Sequence, residues 1–285
     1  MKFSEEPVYF ESRGYKLFGI FHPPKDGNND FGIIFANSGM QNRVGPHRLY
    51  VVFARILSQI GYAVLRIDLP GIGESEGTLT ETHFDAYDQD GLTSAINFMK
   101  RTKNIKRLAL FGICAGARTS LKAGSIDRRV DGLVLWSLPI ISIAPSMTSP
   151  DRLRKAVSIH AWKKYFDSSR GNFKSIFRDV RGLFWNSVLK GERRSKKHHR
   201  GFFTAFSSYI RSGRPVLFLY GEKDNVLIEE SKVKIKELSA DINHSCDYII
   251  IRNGNHTFTS MDTQKEAISE TIAWLSRWSN RNPGA

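Results

Sequence analysis

Short apolar runs alternate along most of the chain with segments in which apolar residues recur at helical spacing. The runs have the length and continuous apolar character of strands buried on both faces, and they cover residues 31–36, 63–67, 107–113, 130–138, 215–220 and 248–251. The helical segments cover residues 48–59, 84–99, 115–123, 229–238 and 263–278. Because strands that alternate with helices pair in parallel through right-handed crossovers, this pattern predicts a doubly wound, mostly parallel sheet with helices on both faces.

The N-terminal region has a different pattern. Residues 9–12 and 15–21 are rich in aromatic and apolar side chains, and they flank the turn-forming pair Arg13-Gly14. Two such runs around a short turn are typical of a β-hairpin. We therefore predict an antiparallel hairpin at one edge of the sheet.

The alternation stops between residues 142 and 211. Aromatic residues at helical spacing are interspersed with cations here, and the stretch from Asp151 to Arg214 holds 17 Lys and Arg against four Asp and Glu. Ligands of open α/β folds bind at the carboxyl edge of the sheet, where insertions are found. We predict a core of residues 1–141 and 212–285 and a basic, aromatic-rich helical cap over residues 142–211.

The cap carries almost all of the formal net charge of +14. Because one segment holds this charge, the basic character of the whole chain does not indicate nucleic-acid binding, and we expect no nucleic-acid partner. Two interpretations of the cap stay open. It is either a solvated lid whose aromatic side chains cover a pocket, or a surface for an acidic partner such as an anionic lipid, a polysaccharide or an acyl-carrier protein.

Composition excludes several classes of protein. The two cysteines, Cys114 and Cys246, are too few for a disulfide scaffold, and without His or Cys pairs at ligand spacing we expect no metal and no other cofactor. No apolar stretch approaches the roughly 18 residues that a membrane-spanning helix needs. The N-terminus has acidic residues where a signal peptide needs an apolar segment, so we expect a cytoplasmic protein.

The strand predicted over residues 107–113 leads into Gly112-Ile113-Cys114-Ala115-Gly116 and then into a predicted helix. A strand, Gly-x-nucleophile-x-Gly and a helix form a nucleophile elbow, a sharp turn that projects the central side chain above the sheet. The helix N-terminus behind this turn favours a thiolate. The alternative is a small buried cysteine in a tight turn, because free cysteine is usually buried.

A nucleophilic cysteine needs a base within hydrogen-bond reach and a group that orients the base. Asp224 follows the predicted strand 215–220, and His256 follows the next strand along the chain. Their order and their positions after strands predict a catalytic triad of Cys114, Asp224 and His256, with Glu222 as the alternative acid.

Acyl transfer also needs backbone N–H donors for the oxyanion. We expect one from Ala115, directly after the nucleophile, and the other from the loop after the first buried strand, where Gly39 permits a close approach of the chain. The N–H of Gly39 and that of Met40 both remain candidates for this second donor.

Taken together, these residues resemble the α/β-hydrolase superfamily over nearly the whole chain apart from the insertion, which takes the usual cap position. The turn Asp68-Leu69-Pro70-Gly71-Ile72-Gly73-Glu74-Ser75 resembles the D-x-x-G-x-G-x-S turn of the serine aminopeptidase-like branch. Asn253-Gly254-Asn255-His256-Thr257-Phe258 resembles the terminal histidine motif of that branch. The resemblance implies an α/β-hydrolase fold with an inserted helical cap.

A closer resemblance lies in residues 38–48, Ser-Gly-Met-Gln-Asn-Arg-Val-Gly-Pro-His-Arg, which are similar to the G-G-x-Q-x-R-x-G-x-H-R segment of bacterial hydrolases associated with exosortase A systems. Those hydrolases also carry Gly-x-Cys at the elbow, and their context implies a link to exopolysaccharide export. The chain departs from them in having Ala115 where they carry an acidic residue, and in its strongly basic cap. Dienelactone hydrolases share the cysteine elbow, but their short form lacks the cap.

We therefore expect a hydrolase that cleaves an ester or thioester, on a small molecule or a carrier, through an acyl-enzyme at Cys114. One alternative is an acyltransferase that passes the acyl group to an acceptor other than water. The other is a non-catalytic binding scaffold with an inert Cys114 and a basic cap.

Overall fold

The computed structural model describes residues 3–27, 30–39, 41–78, 89–140, 202–225, 227–229, 231–233 and 246–279. All of them lie in the compact unit formed by Met1–Ile140 and Phe202–Ala285. Most of the predicted cap, residues 142–201, lies outside the described residues, so its helical character stays a prediction.

Eight strands form one sheet in the described part of the chain. They are β1 (Glu6–Ser12), β2 (Tyr15–His22), β3 (Phe31–Phe35), β4 (Ala63–Ile67), β5 (Arg107–Ile113), β6 (Gly132–Trp136), β7 (Val216–Gly221) and β8 (Cys246–Ile251). Their order is β1-β2-β4-β3-β5-β6-β7-β8. The β1–β2 and β2–β4 pairs are antiparallel and every other pair is parallel, which confirms the edge hairpin and the mostly parallel sheet.

Five helices of nine or more residues occur among the described residues, and all but the fourth lie where the sequence pattern predicts them. They are α1 (Leu49–Gln59), α2 (Gln89–Asn97, continued by a wider turn over Phe98–Thr102), α3 (Ala115–Ile126), α4 (202–211) and α5 (Met261–Ser279). Parts of the predicted helices 84–99 and 229–238 lie outside the described residues. None of the helices among the described residues is long and apolar enough to cross a membrane.

The sheet separates two hydrophobic clusters because successive strand residues point to opposite faces. Ile33 and Phe35 of β3 pack with α1 and α5 on one face, whereas Ile34 packs with α2 and α3 on the other. Continuous apolar runs are what this arrangement requires, since both faces of each central strand are covered. The fold places the carboxyl ends of β3, β5, β7 and β8 along one edge of the sheet.

Helix α4 packs into the core, although its sequence lies within the segment assigned to the cap. Phe206 and Tyr209 are fully buried, and the Phe206 ring lies 5.9 Å from the ring of Phe218 on β7. The hydroxyl of Tyr209 donates a hydrogen bond to the carbonyl of Pro215 at 3.2 Å. These contacts anchor the chain where it returns from the insertion to the sheet.

Candidate active site

Cys114 occupies a strained turn between β5 and α3. Its backbone angles are φ 55° and ψ −116°, which a residue with a Cβ rarely adopts and which costs about 1–3 kcal/mol. The surroundings hold this geometry: the Cys114 N–H donates to the carbonyl of Trp136 at 3.0 Å, and the Cys114 carbonyl accepts from the N–H of Arg118 at 3.2 Å. The turn has the strand-to-helix form of a nucleophile elbow.

The two glycines of the turn allow backbone segments to touch. A Cβ on Gly112 would lie 2.2 Å from the carbonyl carbon of Gly116. One on Gly116 would lie 2.5 Å from the carbonyl oxygen of Asn37 and 2.7 Å from that of Ala36. Only glycine fits at these two positions, because any side chain there would overlap the backbone of the neighbouring chain.

Asp224 and His256 meet at the same edge of the sheet. Nδ1 of His256 lies 2.8 Å from Oδ2 of Asp224. The loops that carry them approach closely, because a Cβ on Gly221 would lie 2.5 Å from the carbonyl carbon of Gly254. Phe258, two residues after the histidine, is fully buried against Trp136 at 5.1 Å between ring centroids, and it anchors the histidine loop in the core.

The two candidate acids have different partners. The carboxylate of Asp224 contacts the imidazole, whereas Oε2 of Glu222 accepts a hydrogen bond from the N–H of Asn253 at 2.7 Å. Glu222 therefore stabilises the turn after β8, and of the two acids Asp224 is the one in contact with His256.

The electrostatic surroundings of His256 favour its protonated form. Burial alone would lower the pKa of the imidazole, but hydrogen bonds to Asp224 and Cys114 and the negative charge of both partners raise that pKa to about 10. The structure thus brings together Cys114, His256 and Asp224.

The chain directly after β3 contacts the cysteine turn, because a Cβ on Gly116 would lie 2.5 Å from the carbonyl oxygen of Asn37. Gly39 has φ 60°, a left-handed conformation that glycine adopts without strain, and Met40 lies outside the described residues. On the other side, Ala115 is the first residue of α3, and an N–H at this helix position has no acceptor within its own helix. Ala115 thus follows Cys114 directly, whereas the oxyanion role of Gly39 or Met40 stays a prediction.

Asn37 holds this loop in place, a role that the sequence did not reveal. Its side-chain amide donates to the carbonyls of Gln41 and Ile67 at 3.0 and 3.1 Å, and its Oδ1 accepts from the N–H of Leu69 at 2.8 Å. One buried side chain thus joins the loop after β3 to the turn after β4.

A buried ion pair joins the same two segments. The carboxylate of Asp68 is fully buried and pairs with the guanidinium of Arg43, and it also accepts from the backbone N–H of Arg43 at 2.6 Å. The N–H of Glu74 donates to the same carboxylate at 3.1 Å. Asp68 therefore has a structural role in the turn that follows β4.

A cysteine turn after β5, an acid after β7 and a histidine after β8 of a mostly parallel sheet define an α/β hydrolase. The chain belongs to the serine aminopeptidase S33 family within that superfamily, because the model of this family matches residues 31–264. Cys114 stands at the elbow position where the name of the family implies a serine.

Solved structures are similar to this fold over nearly its whole length. A dienelactone hydrolase from Anabaena variabilis superposes with a TM-score of 0.62 at 15% identity and covers 97% of this chain and 99% of its own. The esterase Pf2001 from Pyrococcus furiosus gives 0.64 at 18% identity, covering 96% and 93%. The α/β hydrolase GrgF from a Penicillium species gives 0.66 at 17% identity, covering 96% and 98%. At these identities the similarity concerns the fold. A search of curated proteins finds no significantly similar sequence.

Proposed function

We propose that the protein is a cysteine hydrolase that cleaves esters or thioesters through an acyl-enzyme at Cys114. The observation that carries this proposal is the connection between three side chains. Cys114 occupies a strained turn, its side chain is one of the groups that raise the pKa of His256, and Nδ1 of His256 lies 2.8 Å from Oδ2 of Asp224. Nucleophile, base and orienting acid are the groups that acyl transfer requires.

In the first step the Cys114 thiolate attacks the carbonyl carbon of the substrate. A carbon–sulfur bond forms, and the π electrons of the carbonyl move to its oxygen. The N–H groups of Ala115 and of Gly39 or Met40 bind this oxyanion. When the intermediate collapses, the leaving alkoxide or thiolate takes the proton of the His256 imidazolium, and the acyl group stays on sulfur.

In the second step the neutral His256 takes a proton from water, whose oxygen attacks the thioester carbonyl. Collapse of this intermediate releases the carboxylic acid product and restores the thiolate beside the imidazolium. Asp224 keeps the ring oriented through both steps and stabilises its positive charge.

The chemistry of sulfur selects the substrate class. A thiolate is a good leaving group, so a tetrahedral adduct formed from an amide expels sulfur more readily than it expels an amine. Esters, thioesters and lactones carry leaving groups that compete with the thiolate. We therefore assign these as substrates rather than peptides, although the family takes its name from aminopeptidases.

The proposed setting rests on the sequence. The similarity of residues 38–48 to exosortase-associated hydrolases supports an enzyme of exopolysaccharide metabolism. The basic charge of residues 142–211 supports an acidic carrier or anionic surface as the partner that presents the acyl group. Turnover of a carrier-linked thioester should then fall with added salt, while turnover of a free ester should not.

Turnover by cysteine variants tests the proposal. Cys114→Ala should abolish hydrolysis of p-nitrophenyl esters and acyl thioesters. Cys246→Ala is the matched control, since Cys246 is the other cysteine of the sequence, is also half-buried and lies on the edge strand β8. Its turnover should equal that of the wild type. Unchanged turnover in Cys114→Ala would contradict the proposal.

A further inference from the structure

The hydrogen-bond ladder between β3 and β5 is interrupted immediately before the cysteine turn. The two strands pair in register up to Phe35 and Phe111, and the N–H of Ala36 donates to the carbonyl of Phe111 at 2.9 Å. In a parallel ladder the next bond would run from the N–H of Ile113 to the carbonyl of Ala36. The hydroxyl of Tyr50 lies between these two groups instead.

Tyr50 satisfies both groups of the missing bond. Its oxygen accepts the hydrogen bond of the Ile113 N–H at 3.3 Å, and its O–H donates to the carbonyl of Ala36 at 2.9 Å. Burial raises the pKa of the hydroxyl, and the charge of Cys114 raises it further against the opposing effect of the bond from Ile113. The hydroxyl therefore stays protonated and continues to donate while a thiolate forms nearby.

The core holds the ring of Tyr50 rigidly. The side chain is fully buried, with ring centroids 5.4 Å from Phe35 and 5.3 Å from Phe111. Gly45 makes room for it, because a Cβ there would lie 2.5 Å from Cγ of Tyr50. The position of the hydroxyl is thus determined by packing that does not involve the active site.

The two strand ends that Tyr50 bridges lead to the two halves of the site. Ile113 is followed by Cys114, and Ala36 is followed by the loop that carries Gly39. A hydroxyl inserted into the ladder keeps these strand ends farther apart than a direct hydrogen bond would. The turn at Gly116 packs against the carbonyl of Ala36, which is also the group that accepts the hydrogen bond of the Tyr50 hydroxyl.

We propose that Tyr50 is a positioning residue, whose hydroxyl replaces one hydrogen bond of the β3–β5 ladder. The hydroxyl thereby sets the spacing between Cys114 and the loop that carries Gly39. This inference rests on the proposed function, because the spacing matters only where the Gly39 loop and Cys114 act on the same carbonyl group. Without the hydroxyl, Ile113 and Ala36 either bond directly, which draws the two segments together, or remain buried without partners.

Two reactions of the same thiolate test the role of Tyr50. Acylation by a p-nitrophenyl ester develops an oxyanion, whereas alkylation by iodoacetamide displaces iodide and develops none. Tyr50→Phe should slow acylation by about 10–100-fold, since a donor displaced from the oxyanion loses most of its effect, and should change alkylation by less than about 3-fold. The loss should appear in kcat rather than in KM.

Tyr62→Phe is the matched control. Tyr62 is also buried on the α1 face of the sheet, but its hydroxyl contacts Ser279 at 3.3 Å, at the C-terminal end of α5. Both reactions of this variant should proceed at wild-type rates. Equal changes in acylation and alkylation by Tyr50→Phe, or no change in either, would overturn the positioning role.

A second substitution covers the case in which Tyr50→Phe does not fold. 3-Fluorotyrosine at position 50 keeps the hydroxyl but weakens its oxygen as an acceptor for the Ile113 N–H, so acylation should slow by a few fold and alkylation should not. Acylation and alkylation rates that both equal those of the wild type would overturn the inference. Failure of the proposed function gives a different result, because wild-type Cys114 would then form no acyl adduct at all.

Discussion

His256 and Asp224 are connected in two ways, because their side chains are in contact and backbone hydrogen bonds join the loops that carry them. Their side chains meet at 2.8 Å. The N–H of Lys223, directly before the acid, donates to the carbonyl of Gly254 at 2.8 Å, and the N–H of Glu222 donates to that of Ile251 at 3.0 Å. Asp224 and His256 therefore belong to one hydrogen-bonded pair of loops, whose backbone contacts support the contact between their side chains.

Asp224→Asn should lower kcat/KM for ester hydrolysis by about 10²–10⁴-fold, because an amide neither orients the imidazole correctly nor stabilises its charge. It should also lower the pKa of His256 from about 10, since the carboxylate is one of the groups that raise it. Steady-state kinetics and an NMR titration of labelled histidine measure the two effects.

Glu222→Gln is the control for this change. Glu222 stabilises the neighbouring turn through Asn253, so its variant should keep the kinetics and the pKa of His256 close to wild type. A larger loss of activity from Glu222→Gln than from Asp224→Asn would contradict the assignment of the acid.

Gly116→Ala should destabilise the protein by about 3 kcal/mol and abolish activity, because its Cβ would overlap the backbone of Asn37 at 2.5 Å and backbone cannot move aside cheaply. Gly124→Ala is the control. Gly124 lies on the same helix, but a Cβ there would meet the side chains of Leu133 and Tyr209, at 3.0 and 3.2 Å, rather than backbone. That variant should remain within about 1 kcal/mol of the wild type. Urea unfolding and ester turnover measure both, and equal effects would contradict the close-approach argument.

Arg43→Gln should destabilise the protein by about 3 kcal/mol, because it leaves the carboxylate of Asp68 buried without its cation. The exposed pair between Lys106 and Asp30, whose charged atoms lie 2.5 Å apart, provides the comparison. Lys106→Gln should cost less than about 1 kcal/mol, since water solvates both charges when the pair is broken. Similar unfolding free energies for the two variants would show that the Arg43–Asp68 pair is not effectively buried.

His22 should make the fold sensitive to acid. Burial, followed by the charge of Arg66, lowers the pKa of its imidazole from 6.5 to about 3, while the charge of Glu5 opposes the shift and that of Arg55 adds to it. In the unfolded chain His22 takes up a proton near pH 6.5, whereas in the folded chain it stays neutral until about pH 3. The free energy of unfolding is therefore highest above pH 6.5 and decreases as the pH falls towards 3.

The expected contribution of His22 is a slope of about 1.4 kcal/mol per pH unit in the unfolding free energy between pH 6.5 and 3. His22→Gln retains an acceptor for the Nε–H of Arg66, which donates to His22 at 2.9 Å, but does not titrate. Urea unfolding across this range should show a shallower slope for the variant. Parallel slopes would contradict the depressed pKa.

Local signals were enough to predict the fold. Residues 63–67 and 107–113 are strands with the predicted bounds, because a strand covered on both faces leaves a continuous apolar run in the sequence. The common location of Cys114, Asp224 and His256 could be predicted because each follows a recognisable strand. The carboxyl ends of parallel strands all lie at one edge of the sheet.

The groups that hold the site were not predictable in the same way. Asn37 bonds to Ile67 and Leu69, about thirty positions away, and Tyr50 reaches Ile113 across 63 positions. In the sequence, Tyr50 is one more residue at the start of a predicted helix, and nothing local distinguishes its hydroxyl. Helix α4 is similar, because its aromatic residues continue those of the basic segment before it, and only its packing against β7 reveals a core helix.

The central claim is that Cys114 carries the acyl group, and intact-protein mass spectrometry tests it most directly. The protein is mixed with a p-nitrophenyl ester, quenched in acid within one turnover, and digested to locate any adduct. The expected result is one acyl group on Cys114 in the wild type and in Cys246→Ala, and none in Cys114→Ala. Turnover without an adduct on Cys114, or an adduct that persists in Cys114→Ala, would contradict it.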